Sequence, residues 1–343
     1  MEKKSISFGA SNLIGIDIGN SAVRMAQIKG HTTELATARL PENMVRDGRI
    51  VTPELMARFI KDMKGAYNFN GKKCALILPE FSTFFRNLNI PPMTTAQLNL
   101  NLPYEFRDYV GDGSSLYNYD YAVEKTNIGE DGEVESIDLL AAAALKETVN
   151  QYEEICKRAG LRLALALPRE MALINMLKMA ADLGGEIKGY NALVDLGYNY
   201  TRIYVFNGTH ITASRLVEIG CKDIDDAIAA YYNIDTYLAN SYRESNFQNV
   251  LQTEECREIY TRIALEIMKA MNFYRYENPD HDLNDIYFSG SGSTIGDLTE
   301  EIITVTEMNG HKAAELLPVH VEDEELAAYC VMALAVTMQK GRY

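Results

Sequence analysis

The sequence predicts an α/β protein of two similar lobes, with a smaller α+β module inserted into the first. Two observations carry this expectation. A strand, an Asp-x-Gly turn and a second strand occur twice, about half a chain apart. The 343 residues suffice for two domains of roughly 150 residues each. At 47% hydrophobic and 24% charged they can also bury a sizeable core.

The first copy, LIGIDIGNSAVRMAQIKG, begins at Leu13, and the second, ALVDLGYNYTRIYVFNG, begins at Ala192. Asp195 follows Asp17 by 178 positions, and Gly197/Gly19, Arg202/Arg24 and Gly208/Gly30 keep that offset. Each copy reads as a buried strand, a tight turn after an aspartate, and a β-rich strand ending at glycine. One such turn is ordinary chemistry, but two at a single offset point to duplication. Backbone N–H groups in the turn, flanked by Asn20 and Ser21, can hold phosphate oxygens, and a strand-end carboxylate can hold Mg²⁺ through water. Facing hairpins would clamp a polyphosphate from both sides, which makes the interlobe cleft a candidate nucleotide site.

Between the copies, residues 83–159 read as the module. FFRNLNIPPM is a strand ending at two prolines, and TTAQLNLNLPYEFRDYV is a helix that Pro103 weakens or kinks. YNYDYAVEKT and VESIDLLAAAA form a hairpin around GEDGE. KETVNQYEEICKRAG is an amphipathic helix stopped by Gly160. LRLALALP is a core strand, and Pro168-Arg169-Glu170 opens another helix.

After the second hairpin a helical region runs from Asp223 to about Tyr276. Ile259, Ile263, Ile267, Met271 and Tyr274 form its apolar stripe. Glu266 and Lys269 share a face away from that stripe, where a solvated ion pair is the simple reading. LNDIYFSGSGSTIGDLTEEI is a strand, a Gly/Ser turn and a helix. Gly290 and Gly292 permit close backbone approach by a ligand, and Thr294 with Asp297 suits a helix cap. The last helix, Glu324 to Gln339, is apolar around most of its circumference and is expected to be buried. The boundaries that result are 12–82 with 160–188 for the first lobe and 83–159 for the module. Residues 189–236 with 284–343 form the second lobe, and 237–283 its helical subdomain.

Composition narrows the function. A net charge of −15 opposes broad nucleic-acid binding. No apolar stretch approaches the roughly 18 residues of a membrane span. The opening MEKKSISFGASN lacks the apolar region of a signal peptide, and no amphipathic anchor trails the last helix, so a cytoplasmic protein is expected. Five scattered cysteines without CxxC and five histidines without HExxH suggest neither a disulfide framework nor a zinc site. Gly290-x-Gly292-x-x-x-Gly296 has one residue too many for a dinucleotide fingerprint. Gly65–Lys73 fails as a Walker A motif, because its spacing is wrong and no Ser/Thr follows the lysine.

Together the two hairpins and the SGSGS turn resemble the phosphate-1, phosphate-2 and adenosine motifs of the actin and heat-shock-chaperone ATPase superfamily. Within it, the ordered segments LIGIDIGNSAVRMAQI, IPPMTTAQLNLNLPYEFRDYV, LLAAAALKETVNQYEEICKRAGLRLALAL and EIMKAMNFYRY make the chain similar to the PilM family of type IV pilus assembly proteins, related to the division protein FtsA. The likeness covers nearly the whole chain. It implies an α/β, actin-like (ribonuclease H-like) duplicated two-lobe fold with an inserted FtsA/PilM-type module.

The resemblance also implies ATP and Mg²⁺ in the cleft. Asp17, Gly19, Asn20 and Ser21 would form the first phosphate loop, with Asp17 near Mg²⁺, and Asp195, Gly197 and Thr201 the second. Gly290, Gly292 and Ser293 would pass under the adenosine, with Glu266 and Lys269 nearby. Glu170 matches the acidic residue that places an attacking water in the superfamily; a carboxylate in a helix's first turn is equally what the dipole favours. The implied partner is the cytoplasmic N-terminal peptide of the membrane protein PilN, held in a groove by the module, with other pilus-assembly proteins possible. Membrane contact would then be indirect, at the inner face. Tyr198-Asn199-Tyr200 replace the small residues usual after the second Asp-x-Gly and would narrow the pocket, and SGSGS is not fully glycine. Nucleotide binding is therefore expected and hydrolysis is at most weak. An FtsA-like division protein, a type II secretion counterpart and a small-molecule kinase of the same superfamily remain the alternatives, the last without any sugar-kinase signature.

Overall fold

The structure, a computed structural model, describes residues 13–338 except 31 and 186. The opening segment, His31, and the expected end of the last helix at Gln339 with the tail beyond it lie outside the described residues.

The first lobe begins with β1 (Leu13–Ile18), β2 (Ala22–Lys29) and β3 (Thr32–Arg39). A short ribbon, β4 (Val45–Arg46) with β5 (Arg49–Ile50), leads to α1 (Pro53–Ala66), whose proline at the first helical position sacrifices no hydrogen bond, and to β6 (Lys73–Ile77). The chain then forms β7 (Thr83–Ile90), α2 (Thr95–Glu105), α3 (Arg107–Val110), β8 (Tyr117–Ile128) and β9 (Val134–Leu145). It returns through α4 (Lys146–Arg158) to β10 (Arg162–Leu167), and α5 (Arg169–Asp182) crosses to the second lobe. There β11 (Tyr190–Leu196), β12 (Thr201–Asn207) and β13 (His210–Val217) precede α6 (Cys221–Tyr232), α7 (Thr236–Ser245) and α8 (Glu254–Glu277). β14 (Leu283–Ser289), α9 (Gly296–Thr306), β15 (Asn309–Lys312) and α10 (Glu324–Ala335) complete the lobe.

The duplication is one of topology as well as sequence. The sheets run β3-β2-β1-β6-β10 and β13-β12-β11-β14-β15, the same order twice. In both, the opening three strands pair antiparallel, a fourth pairs parallel to the first, and the fifth pairs parallel to the fourth. Parallel pairing puts the carboxyl ends of three strands at one sheet edge, where a crevice between lobes can hold ligand.

α5 and α10 lie between the two sheets. Ala26, Ile28 and Ala75 from one lobe and Leu193, Tyr204 and Phe206 from the other close over them in a single core. A helix packed on both sides must be apolar all round, which accounts for the composition of α10. β1 approaches it so closely that a Cβ on Gly15 would lie 1.8 Å from the Ala333 carbonyl oxygen.

The inserted sheet, ordered β7-β9-β8, has its own core. Strand alternation gives β9 two faces: Leu139, Ala141 and Ala143 pack against Leu98, Leu102 and Phe106, while Leu140, Ala142 and Ala144 look the other way. α2 starts at a capping box in which Thr94 Oγ1 accepts from the Gln97 N–H at 3.3 Å and the Thr94 N–H donates to Gln97 Oε1 at 2.9 Å. It stops two residues after Pro103, and Phe106 separates it from α3, so the kink expected there is a break. α4 packs into the first lobe's core through Tyr152, Ile155 and Cys156. The Thr294–Asp297 cap does not form: α9 has no side-chain cap, and the Thr294 hydroxyl meets the Tyr329 hydroxyl at 2.8 Å instead. All five cysteines are buried and free.

Candidate functional site

The two hairpins present their turns to one cleft. Asp17 stands across the ladder from Arg24, and Asp195 from Arg202. Paired residues of antiparallel strands project to the same face, so each aspartate has a guanidinium beside it, at 3.8 Å in both copies. Arg169, the first residue of α5, joins the copies. Its Nη2 donates to Asp17 Oδ1 at 2.7 Å and its Nη1 to Asp195 Oδ2 at 3.4 Å. Arg202 Nε also donates to Glu80. Asp17, Arg24, Arg169 and Asp195 are all buried.

Burial pushes the Asp17 carboxyl up, but Arg169, then Arg24 and Arg202, outweigh it and hold the group below the ordinary carboxylate range. Burial opposes the charge on Arg169 as well, yet Asp17 and Asp195 leave it more firmly protonated than usual. Asp17 and Arg169 thus face each other as a charged pair.

A cavity of about 280 Å³ lies among these groups. Its walls include Asp17, Gly19, Asn20 and Ser21 from the first turn, Asp195 and Gly197 from the second, and Gly290. The two tyrosines expected to narrow it, Tyr198 and Tyr200, line it too. Two buried donors in the walls, Ser289 Oγ and Arg24 Nε, have no partner among the described residues. A donor left unpaired in a buried site is costly unless a ligand or water accepts from it.

A second cavity of about 600 Å³ adjoins the first, sharing Ser21, Arg24 and Tyr329 as walls. Arg243, Asn246 and Gln252 line it from α7 and the turn that follows, and Ser291, Thr294 and Asp297 from the Gly/Ser turn and α9. Arg39, at the end of β3 and also on this wall, spans the lobes: it donates to Ser241 Oγ at 2.8 Å and to the Tyr237 carbonyl at 2.6 Å, with its guanidinium 3.7 Å from the Tyr237 ring centre.

The other expected site residues sit apart. Thr201 is fully buried and its hydroxyl donates to the Ile219 carbonyl at 2.9 Å. Gly292 packs against Leu196 and Cys221. Ser293 donates to the Gly290 carbonyl at 2.7 Å and faces a separate cavity beyond. Glu266 and Lys269 bond to each other at 2.6 Å on the outer face of α8, away from both cleft cavities. Glu170 follows Arg169 but is not among the cavity walls; burial raises its pKa above the usual value. Sequence reasoning missed Arg169, Glu80, Ser289 and the Arg243–Gln252 wall. Arg24 and Arg202 were visible only as marks of duplication.

Gly290 is constrained twice over. Its φ is +86°, and a Cβ there would fall 2.4 Å from Asp195 Oδ1. Gly290→Ala is therefore expected to cost about 1–3 kcal/mol from backbone strain, with displacement of Asp195. Chemical denaturation reads this, and an unchanged midpoint would contradict the geometry.

Duplicated five-stranded sheets of one order, closing on a charged cleft and carrying an inserted α+β module, define an actin-like fold of the FtsA/PilM type. The chain belongs to the family described as type IV pilus assembly protein PilM, whose model matches residues 15–321. Among solved structures it is similar to the PilM-PilN type IV pilus biogenesis complex, at 20% identity and a TM-score of 0.81, covering 95% of this chain and 97% of that one. It is also similar to the ethanolamine utilization protein EutJ from Carboxydothermus hydrogenoformans, at 15% identity and a TM-score of 0.56, over 94% and 89% of the two chains. No curated protein sequence matches it. Among the described residues, no helix is long and apolar enough to cross a membrane.

Proposed function

We propose that this chain is an actin-like nucleotide-binding scaffold of type IV pilus assembly, held at the inner face of the cell membrane through the cytoplasmic N-terminal peptide of PilN. Family membership over most of the chain is the observation that carries this reading.

The nucleotide's phosphates belong between the turns at 19–21 and 197–199, with the nucleoside in the larger cavity against the 243–252 wall. Support comes from Ser289 Oγ and Arg24 Nε, donors without a partner among the described residues, which suit an anionic acceptor. The sequence expectation seats Mg²⁺ on Asp17. The residues present do not fit that ion: both cleft aspartates already face guanidinium groups, Asp17 those of Arg169 and Arg24 and Asp195 those of Arg169 and Arg202.

For the peptide, a cavity of about 270 Å³ between the module sheet and β10–α5 is the best seat. Its walls are Phe85, Leu140, Ala142, Ala144, Leu165 and Met171, with Asn118 and Asp120 at one side. Alanines at 142 and 144 are too small to fill the gap that the outward-looking face of β9 leaves. A short apolar peptide with a polar end suits it. In a pull-down or titration, PilN's cytoplasmic peptide is expected to bind and a scrambled peptide not. Ala142→Phe is expected to weaken binding about tenfold or more by filling the space, with nucleotide affinity unchanged. Equal capture of both peptides would count against the assignment.

A further inference from the structure

Two buried carboxylates facing each other across a cleft ordinarily call for a cation between them, because unpaired buried charge is expensive. Here Asp17 comes from one lobe and Asp195 from the other, and the space between is taken by a side chain. The two terminal nitrogens of one guanidinium reach them, Nη2 to Asp17 at 2.7 Å and Nη1 to Asp195 at 3.4 Å. The planar fork of arginine fits two acceptors at once and does not give up its proton. Nor is Arg169 free to swing far at its root. It opens α5, whose Ala172, Leu173 and Met176 are fully buried in the core between lobes.

Each aspartate also has the arginine of its own hairpin 3.8 Å away. The two carboxylates therefore meet three guanidinium groups, of which Arg202 is shared with Glu80. A magnesium ion held by Asp17, directly or through one of its waters, would have to share a carboxylate whose two oxygens already face Arg169 and Arg24, and would meet their positive charge. The donors left over point the same way. Among the described residues Ser289 Oγ and Arg24 Nε are buried without acceptors, and a guanidinium nitrogen can only donate; it can meet a phosphate oxygen but never ligate a metal.

We infer that Arg169 stands in the place of a divalent cation between the lobes, and that this cleft binds its phosphates without metal. The inference rests on the nucleotide reading above and specifies how that site neutralises charge. Arg24, Arg169 and Arg202 supply the positive charge that a metal would otherwise bring with the nucleotide.

The test is titration of the full chain with a fluorescent ADP analogue, displaced by unlabelled ADP, in excess Mg²⁺ and separately in EDTA. The expected result is one affinity in both conditions, within about threefold. Binding that appears only with Mg²⁺ overturns the inference and leaves the nucleotide reading intact. Absence of binding in both conditions removes the nucleotide reading itself, and the inference with it. Arg169→Gln, checked for a native circular dichroism spectrum, is expected to lose about tenfold or more in EDTA, since a charge-assisted hydrogen bond is gone, and to recover part of it in Mg²⁺. Undiminished affinity of that variant in EDTA overturns the inference. If it does not fold, the wild-type pair of titrations decides alone.

Discussion

Replacing Arg169 with alanine is expected to destabilise the protein by about 3–5 kcal/mol, because it leaves two buried carboxylates without their shared partner. Against a total stability of about 5–15 kcal/mol, such a loss is near the limit the fold can survive. The same ion pairs set the acid behaviour. Asp17 has its pKa lowered in the folded protein, chiefly by Arg169 acting against the burial that would raise it. Its contribution to stability is thus present above the unfolded carboxylate value of about 3.9 and is lost only as pH falls below that, through the depressed folded value. Removing Arg169 takes away the main force holding that pKa down, so Asp17 should protonate at higher pH and the variant should lose stability earlier on acidification. Urea denaturation of both proteins between neutral and acidic pH measures this. A loss under about 1 kcal/mol at neutral pH would mean that the clasp adds little.

Asp225→Ala is expected to have an effect of similar size, about 3–5 kcal/mol, for the complementary reason: it strands a buried cation. Asp225 on α6 accepts from Arg243 Nε at 2.6 Å and from the Asn240 side chain at 2.8 Å, both on α7. Burial raises its pKa despite these donors. The cluster also includes the Tyr198 hydroxyl, whose pKa is pushed well above its ordinary value by burial and by Asp225. One carboxylate thereby ties the second hairpin turn to the wall of the larger cavity. Asp225→Leu with Arg243→Met is expected to be less damaging than either single change, since no lone charge remains. A double variant as unstable as the sum of its singles would show that packing, rather than stranded charge, dominates.

The duplicated hairpin is legible because its signals are local. Buried apolar residues, an aspartate and a glycine turn all fall within about twenty residues, and the offset repeats them. The clasp is not local: Arg169 lies 152 residues from Asp17, and Glu80 lies 122 from Arg202. No periodicity in the chain announces such pairs. The paired arginines at the shared offset were the one available clue, since they sit opposite the aspartates in an antiparallel register. The position of Thr201 was also readable, because strand alternation turns it away from the face that carries Arg202. The interior place of α5 and α10 follows from their apolar circumference, whereas the order of strands around them depends on contacts between distant segments.

A crystal structure of the chain grown with ADP tests the central claim most directly. The account predicts phosphates lodged between the turns at 19–21 and 197–199, within reach of Ser289 and Arg24, and a nucleoside against Arg243 and Asn246. Nucleotide density on any other surface, with the cleft still closed by Arg169 and filled only by water, would contradict it.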